Sequence, residues 1–263
     1  MDVQQSIRKP VSLNKALKQG FVAAYDSLGY VVGASFAVFF ASALVTTLMA
    51  LIARTASAPG FLGLLFVVPG LLVAWFGAVG VFFYVRKAIF HEHPTVGETW
   101  QGIRILLGPA IALFVVDLLI SVVVLGDLAF FALAFKANGG MVLAALAIVS
   151  AYVSLMWLMM SLYHLPLLIA QLGIESGPRV KVILSKSFLL TADNPGFTAG
   201  LFVVIIALAV LCALPALLGI ALIFTGAAAF LLTSALRELF IKYDMVEEEP
   251  EIVEDKPWRM PEQ

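Results

Sequence analysis

Residues 29–53 read Gly29-Tyr-Val-Val-Gly33-Ala-Ser-Phe-Ala37-Val-Phe-Phe-Ala41-Ser-Ala-Leu-Val-Thr-Thr-Leu-Met-Ala-Leu-Ile-Ala53, an unbroken run without a charge. A helix of about 20 such residues crosses the roughly 30 Å of hydrocarbon in a bilayer. Inside hydrocarbon the backbone must satisfy its own N–H and C=O groups, which an α-helix does within one segment. Five further stretches meet the same test, at 61–84, 105–126, 142–170, 197–214 and 217–236. The chain therefore reads as an all-α integral membrane protein with six transmembrane helices.

The composition agrees. Of 263 residues, 62% are apolar and 13% charged, the latter about half the usual share in soluble proteins. Mean hydropathy is +1.04. Such a chain has too little polar surface to cover a water-soluble fold, which excludes an ordinary globular enzyme and a disordered regulator. A net charge of −1 gives no field that would hold nucleic acid. The one cysteine, Cys212, lies in an apolar run, where it is a small packing or lipid-facing residue; no disulfide or zinc-type spacing exists. The stretch 1–28 is mostly polar, and the apolar run after it is longer than the core of a cleaved leader, so that run reads as a retained signal anchor.

Three regions follow: 1–28 as a cytoplasmic or interfacial amphipathic segment, 29–240 as the six-helix transmembrane domain, and 241–263 as an acidic tail. Expected breaks are Arg54 to Gly60, 85–104 with Arg86, Lys87, Glu92, Glu98 and Arg104, and 126–140 with Asp127, Lys136 and Gly139-Gly140. The stretch 171–195 is polar enough for a short interfacial helix. The last break, near Pro215, is the weakest; segments five and six make a tight hairpin or one long broken span. The tail carries Glu247, Glu248, Glu249, Glu251, Glu254 and Asp255 and is too poor in apolar residues to fold alone, so it reads as solvated and disordered, or as a docking peptide for a cytosolic partner.

Orientation follows from the basic residues. With the N-terminus inside, fourteen of the 16 Lys and Arg fall on the inner side and only Arg54 and Lys136 outside. Both termini are then cytoplasmic in a cell (inner or plasma) membrane.

Two stretches match in register, Phe21 falling on Phe188: Phe21-Val-Ala-Ala-Tyr-Asp26-Ser-Leu-Gly29-Tyr30-Val-Val-Gly33 and Phe188-Leu-Leu-Thr-Ala-Asp193-Asn-Pro-Gly196-Phe197-Thr-Ala-Gly200. A weaker copy, Trp100 to Gly108, lacks the acid. Each copy leads into an odd-numbered span, which predicts three helix hairpins in parallel orientation. Each would open with a short amphipathic helix on the inner face, as Leu13, Ala16, Leu17 and Phe21 can share one face of 11–25. Asp26 and Asp193 read as caps for the free N–H groups of spans one and five. Gly29, Gly33, Ala37 and Ala41 form a small-residue ladder, with Gly196 and Gly200 beginning a second; such ladders let helices approach closely within the bundle.

Asp117 falls near mid-membrane in span three, where a bare charge costs several kcal/mol. It is expected to face the interior as a structural group bonded to a neighbouring Ser or Thr, or to lie on a proton or cation path. His164 sits near Pro166 in span four and reads first as a packed, hydrogen-bonded residue. Pairing it with Asp117 needs their depths to match, and straight helices with these ends leave them about 8 Å apart along the axis. Asp117 and His164 are the candidate binding residues. His91-Glu92-His93 reads as a solvated loop. No nucleophile motif, Walker A, dinucleotide fingerprint or HExxH occurs, so no catalytic residue, cofactor or metal is assigned.

The order of features resembles the YesL family of bacterial multi-pass membrane proteins. The likeness rests on Gly29 opening span one, Pro69 followed by Phe83-Tyr84-Val-Arg86-Lys87, Thr99-Trp100-Gln-Gly-Ile-Arg104, Tyr163-His-Leu-Pro166, and Leu-Leu-Thr-Ala-Asp193-Asn194-Pro195. Members of that family are often encoded beside carbohydrate-uptake systems. The resemblance implies an accessory or assembly factor for membrane transport, with the bilayer and other transport subunits as partners and self-association as a further option. The alternative is an autonomous small-molecule transporter or channel with Asp117 in its path.

Overall fold

The computed structural model describes residues 11–55, 64–90, 94–173, 177–215 and 217–246. The hydroxyl of Ser12 accepts from the Lys15 N–H at 3.3 Å and so caps α1 (Leu13–Asp26). There follow α2 (Leu28–Thr55), α3 (Val68–Ile89), α4 (Gly97–Asn138), α5 (Met141–Ser161), α6 (His164–Ala170), α7 (Val180–Asp193), α8 (Pro195–Ala213) and α9 (Thr225–Lys242). Among the described residues there is no strand. Six helical stretches are long and apolar enough to cross a membrane: α2, α3, α4, α5 with α6, α8, and Ile220–Lys242, which joins α9 to the turn before it. This is the architecture of a multi-pass membrane protein.

Several ends differ from those the sequence predicts. The polar stretch 85–104 is not an extended loop. Arg86 and Lys87 occupy the last turn of α3 and Glu98 the first turn of α4, placements that complement the partial charges of helix ends. Lys87 Nζ and Glu98 Oε1 lie 3.2 Å apart. Nor does span three stop at 126. Asp127 and Lys136 are carried inside α4 because their neighbours are alanine, leucine and phenylalanine, all compatible with a helix. Only Gly139 and Gly140, at φ 65° and 100°, supply the left-handed backbone that a tight reversal requires. The 42 residues of α4 measure about 63 Å at 1.5 Å each, about twice the hydrocarbon thickness, so this helix tilts or extends past the membrane face. The loop 91–93, most of the 54–60 turn and the acidic tail beyond Val246 lie outside the described residues.

The interior belongs to α9. Every residue from Gly226 to Leu239 is buried, enclosed by α1, α2, α3 and α6. By contrast α2, α4, α5 and α8 turn most of their apolar side chains outward, as helices solvated by lipid do. Two features let α2 lie directly on α9. A Cβ at Gly226 would stand 2.9 Å from Val31 Cα. Just before it the helix passes through a π-helical turn, Ile220–Phe224, where the hydrogen-bond ladder changes register. Ser35, fully buried on α2, accepts from the Gly226 N–H at 2.9 Å.

The predicted repeat reappears in the elements. α1 and α7 each span 14 residues, and their ends, like the starts of α2 and α8, fall at matching positions of the two copies. The third copy, Trp100 to Gly108, runs through the continuous α4 with no break between lead-in and span. The buried face of α1 is Ala16, Gly20 and Ala24; Phe21 is 48% exposed, so the face is rotated from the expected Leu13, Ala16, Leu17, Phe21 set. Contacts of Lys15 with Glu238 and Gly20 with Leu231 show that α1 runs antiparallel beside the last turns of α9.

The small-residue ladders also need correction. Gly29, Gly33, Ala37 and Ala41 are exposed, and no atom lies within 4 Å of a Cβ at Gly29 or Gly33. The side of α2 that meets α9 carries Val31 and Ser35 instead, two positions round the helix. Gly196 is equally open, whereas Gly200 receives the Leu13 side chain of α1.

Gly226→Ala should therefore cost about 1–3 kcal/mol through overpacking, and Ser35→Ala a similar amount by orphaning a buried N–H. Gly33→Ala should fall within about 0.5 kcal/mol of the parent. Thermal unfolding in detergent measures all three; equal losses at Gly33 and Gly226 would contradict this packing.

Candidate functional site

Pro166 creates the site. Proline has no N–H, and its ring collides with the carbonyl four residues earlier, here Leu162. The helix of span four accordingly breaks at Leu162 and Tyr163 and restarts as α6 at His164. The break turns two polar side chains into the protein. Tyr163 is fully buried and its hydroxyl meets Thr198 Oγ1 of α8 at 2.9 Å. His164 is 1% exposed and reaches Asp117, near the midpoint of α4.

The pair is close and symmetric. His164 Nδ1 lies 3.0 Å from each carboxylate oxygen of Asp117. In the neutral imidazole, Nδ1–H donates to the carboxylate; with the proton count raised by one, the imidazolium faces the carboxylate as an ion pair. Either way the acid is not a bare charge in an apolar layer. The other ring nitrogen, Nε2, is buried without a hydrogen-bond partner among the described residues, as is Asp117 Oδ1 beyond its contact with His164. The Trp157 ring packs edge-on against the imidazole, centroids 5.4 Å apart.

Asp117 and His164 each stand out by residue type, but the axial offset expected between them is absent. α4 begins at Gly97 rather than 105, and the break before His164 moves that residue off the line of α5, so straight spans with the predicted ends mislead. The expected Ser or Thr partner is also replaced by a histidine.

The pair is one rung of a seam. One turn further along α4, Ser121 accepts from Trp157 Nε1 at 2.9 Å; one turn beyond, the Val124 carbonyl accepts from Ser154 Oγ at 3.2 Å. Positions 117, 121 and 124 share one helix face, as do 154 and 157 on α5. The sequence reading misses Ser121, Ser154 and Trp157. The i, i+4, i+7 spacing from Asp117 is the available signal, yet it names a face and not the helix that the face meets.

The two repeat acids do not cap spans one and five as expected. Asp26 is the exposed last residue of α1 and makes no side-chain hydrogen bond among the described residues. Asp193 ends α7, and Asn194 stands at the cap position of α8 without a side-chain cap bond. The Asp193 carboxylate instead takes Lys242 Nζ at 3.1 Å and the Tyr243 hydroxyl. Asn194 joins them, its Oδ1 2.5 Å from Lys242 Nζ and its Nδ2 donating to the Tyr243 hydroxyl at 3.0 Å. Opposite charge from α9 satisfies the acid better than the α8 N-terminus, whose first residue, Pro195, has no N–H to offer. Cys212 is a buried thiol, and among the described residues no three His, Cys, Asp or Glu converge as metal ligands.

No protein family, curated protein or solved structure matches the chain.

Replacing His164 with Ala should leave Asp117 uncompensated and cost about 3–5 kcal/mol, more than Asp117→Asn, which keeps a hydrogen-bond acceptor for Nδ1. A double-mutant cycle on detergent melting should return a coupling of about 0.5–3 kcal/mol; additive losses would mean that the two residues do not act as a pair.

Proposed function

We propose that this protein is an accessory or assembly factor of a membrane transport system. It lies in a cell membrane with both termini inside and its spans laid out as hairpins of common orientation. The observation that carries the reading is the end of the bundle where basic side chains gather. There Lys15–Glu238 at 3.8 Å ties α1 to α9, Lys242–Asp193 at 3.1 Å ties α7 to α9, and Lys87–Glu98 at 3.2 Å ties the end of α3 to the start of α4. Two lead-in helices, α1 and α7, are thereby both fastened to α9. Such an end is a preorganised surface for another subunit. The excess of Lys and Arg on this side supports its cytoplasmic placement. The resemblance to the YesL family supports carbohydrate uptake as the setting.

Mild-detergent purification from the native membrane should recover transporter subunits in stoichiometric yield, identified by mass spectrometry. Lys181→Glu with Lys186→Glu, on α7, should abolish that recovery without lowering the amount of folded protein. Recovery of the chain alone, as monomer or homo-oligomer, would overturn the reading.

The Asp117–His164 pair, a buried imidazole on a half-buried carboxylate, favours a second reading, a proton- or cation-coupled small-molecule transporter. Paired titratable groups inside a span are characteristic of proton relays. In that case Asp117→Asn should abolish flux in proteoliposomes while preserving a monodisperse fold; unchanged flux would remove the pair from any pathway.

A further inference from the structure

The start of α7 concentrates positive charge that nothing around it balances. Arg179 stands at the cap position, Lys181 follows in the first turn, and Lys186 lies in the middle of the helix. Arg179 and Lys181 are exposed and Lys186 is half-buried. Among the described residues none of the three forms an ion pair. The first turn holds no acidic residue, and Arg179 offers no side-chain cap. Cations therefore sit at the helix end that is already positive, an arrangement that an anion relieves. We propose that the acidic run 247–255 of this chain docks in cis on this face of α7 and so covers the surface offered to another subunit.

The chain leaves α9 beside α7. Lys242 and Tyr243 hold Asp193 and Asn194 at the far end of that helix. Met245 and Val246 then line a cavity of about 230 Å³ at the basic end of the bundle, among α3, α6 and α9, whose wall also includes Arg86, Arg237 and Ala170. The residue after Ala170 is Gln171, and its Oε1 accepts from the Arg179 N–H at 3.0 Å. One cavity wall thus brings Val246 toward the segment that holds the start of α7. Glu247, Glu248, Glu249, Glu251, Glu254 and Asp255 follow at once. An extended chain advances about 3.3 Å per residue, so 247–251 cover about 13 Å. Lys181 and Lys186 are about 7.5 Å apart along the helix axis, so the run is long enough to face both.

The acids nearest this face are already engaged. Asp193 is held by Lys242, and Glu238 by Lys15. The tail therefore brings the carboxylates that remain to be placed. One exposed ion pair is weak. Several formed by a run that starts beside its own site act together, because the tether keeps their effective concentration high. A charged segment of another subunit that uses Lys181 and Lys186 must first displace the tail.

The test is cleavage of the tail by a glutamate-specific protease, in the full-length protein in detergent and in a synthetic peptide of residues 245–263. The protein's tail should be cut about tenfold more slowly than the peptide, the scale of two or three tethered ion pairs. Lys181→Glu with Lys186→Glu should bring the two rates together. So should about 0.5 M salt, which screens exposed pairs and needs no variant. Cleavage of the parent at the peptide's rate would overturn the proposal. Protection that survives salt, or survives the double variant eluting as parent, would overturn it equally. Protection lost on dilution would assign the tail to a second copy. Protection present in phosphatidylcholine nanodiscs and absent in phosphatidylglycerol ones would assign the basic face to an anionic leaflet. Either result would overturn the cis contact. The consequence for partners alone rests on the accessory-factor reading: deleting 247–263 should keep transport subunits bound at about tenfold lower protein concentration. A protected tail with no subunit bound to either chain would remove that reading and leave the cis contact standing.

Discussion

The close approach of α2 to α9 at Gly226 is the contact on which the rest of the bundle is arranged. In lipid, apolar surface alone does not drive helices together, because the chains of the solvent are as apolar as leucine. Association then depends on how near two backbones can come and on whether buried polar groups find partners. Gly226 removes the side chain that would hold Val31 away, and Ser35 satisfies the N–H that follows the π-helical turn. With α2 seated there, α1 is carried along the far half of α9, and α3 closes the opposite side. The basic end, with its ion pairs and its arginine-lined cavity, is a consequence of α9 being enclosed along its length.

A second constraint shapes the other half of the molecule. α4 and α5 are joined by two glycines and meet along a seam of polar contacts, Asp117 with His164, Ser121 with Trp157, and Ser154 with the Val124 carbonyl. Each is inexpensive in hydrocarbon only when satisfied, so together they fix the register of the hairpin. Pro166 ends the straight part of that hairpin and also provides its most polar rung, since His164 reaches α4 only from beyond the break. Just past it, Pro166 and Ile169 line the cavity at the basic end. One local backbone defect therefore positions both the Asp117–His164 pair and a wall of that cavity.

The polar groups thus serve two kinds of end. Inside the spans they hold helices in register. At the basic end they hold helix termini and lead-in helices together while leaving a charged recess.

What the sequence by itself determined is the class of the protein and much of its outline. Uncharged runs of sufficient length admit only membrane helices, because hydrocarbon leaves the backbone no other way to satisfy itself. The internal repeat set the matching ends of α1 and α7 and the starts of α2 and α8, since similar local residues cap and break helices in similar ways. Asp117 and His164 stand out because ionisable groups are rare in spans. What only the tertiary structure decided is every choice among faces and partners. Gly29 and Gly33 look like a close-packing ladder, yet the side of α2 that meets α9 is the one bearing Val31 and Ser35. Asp193 looks like a helix cap, yet Lys242 and Tyr243 claim it from 49 and 50 residues away. Span three looks as if it ends at Gly126, yet the helix continues to Asn138. The physical reason is common to all three. Periodicity and residue type describe one helix, whereas burial, pairing and length are settled by which other helix lies against it.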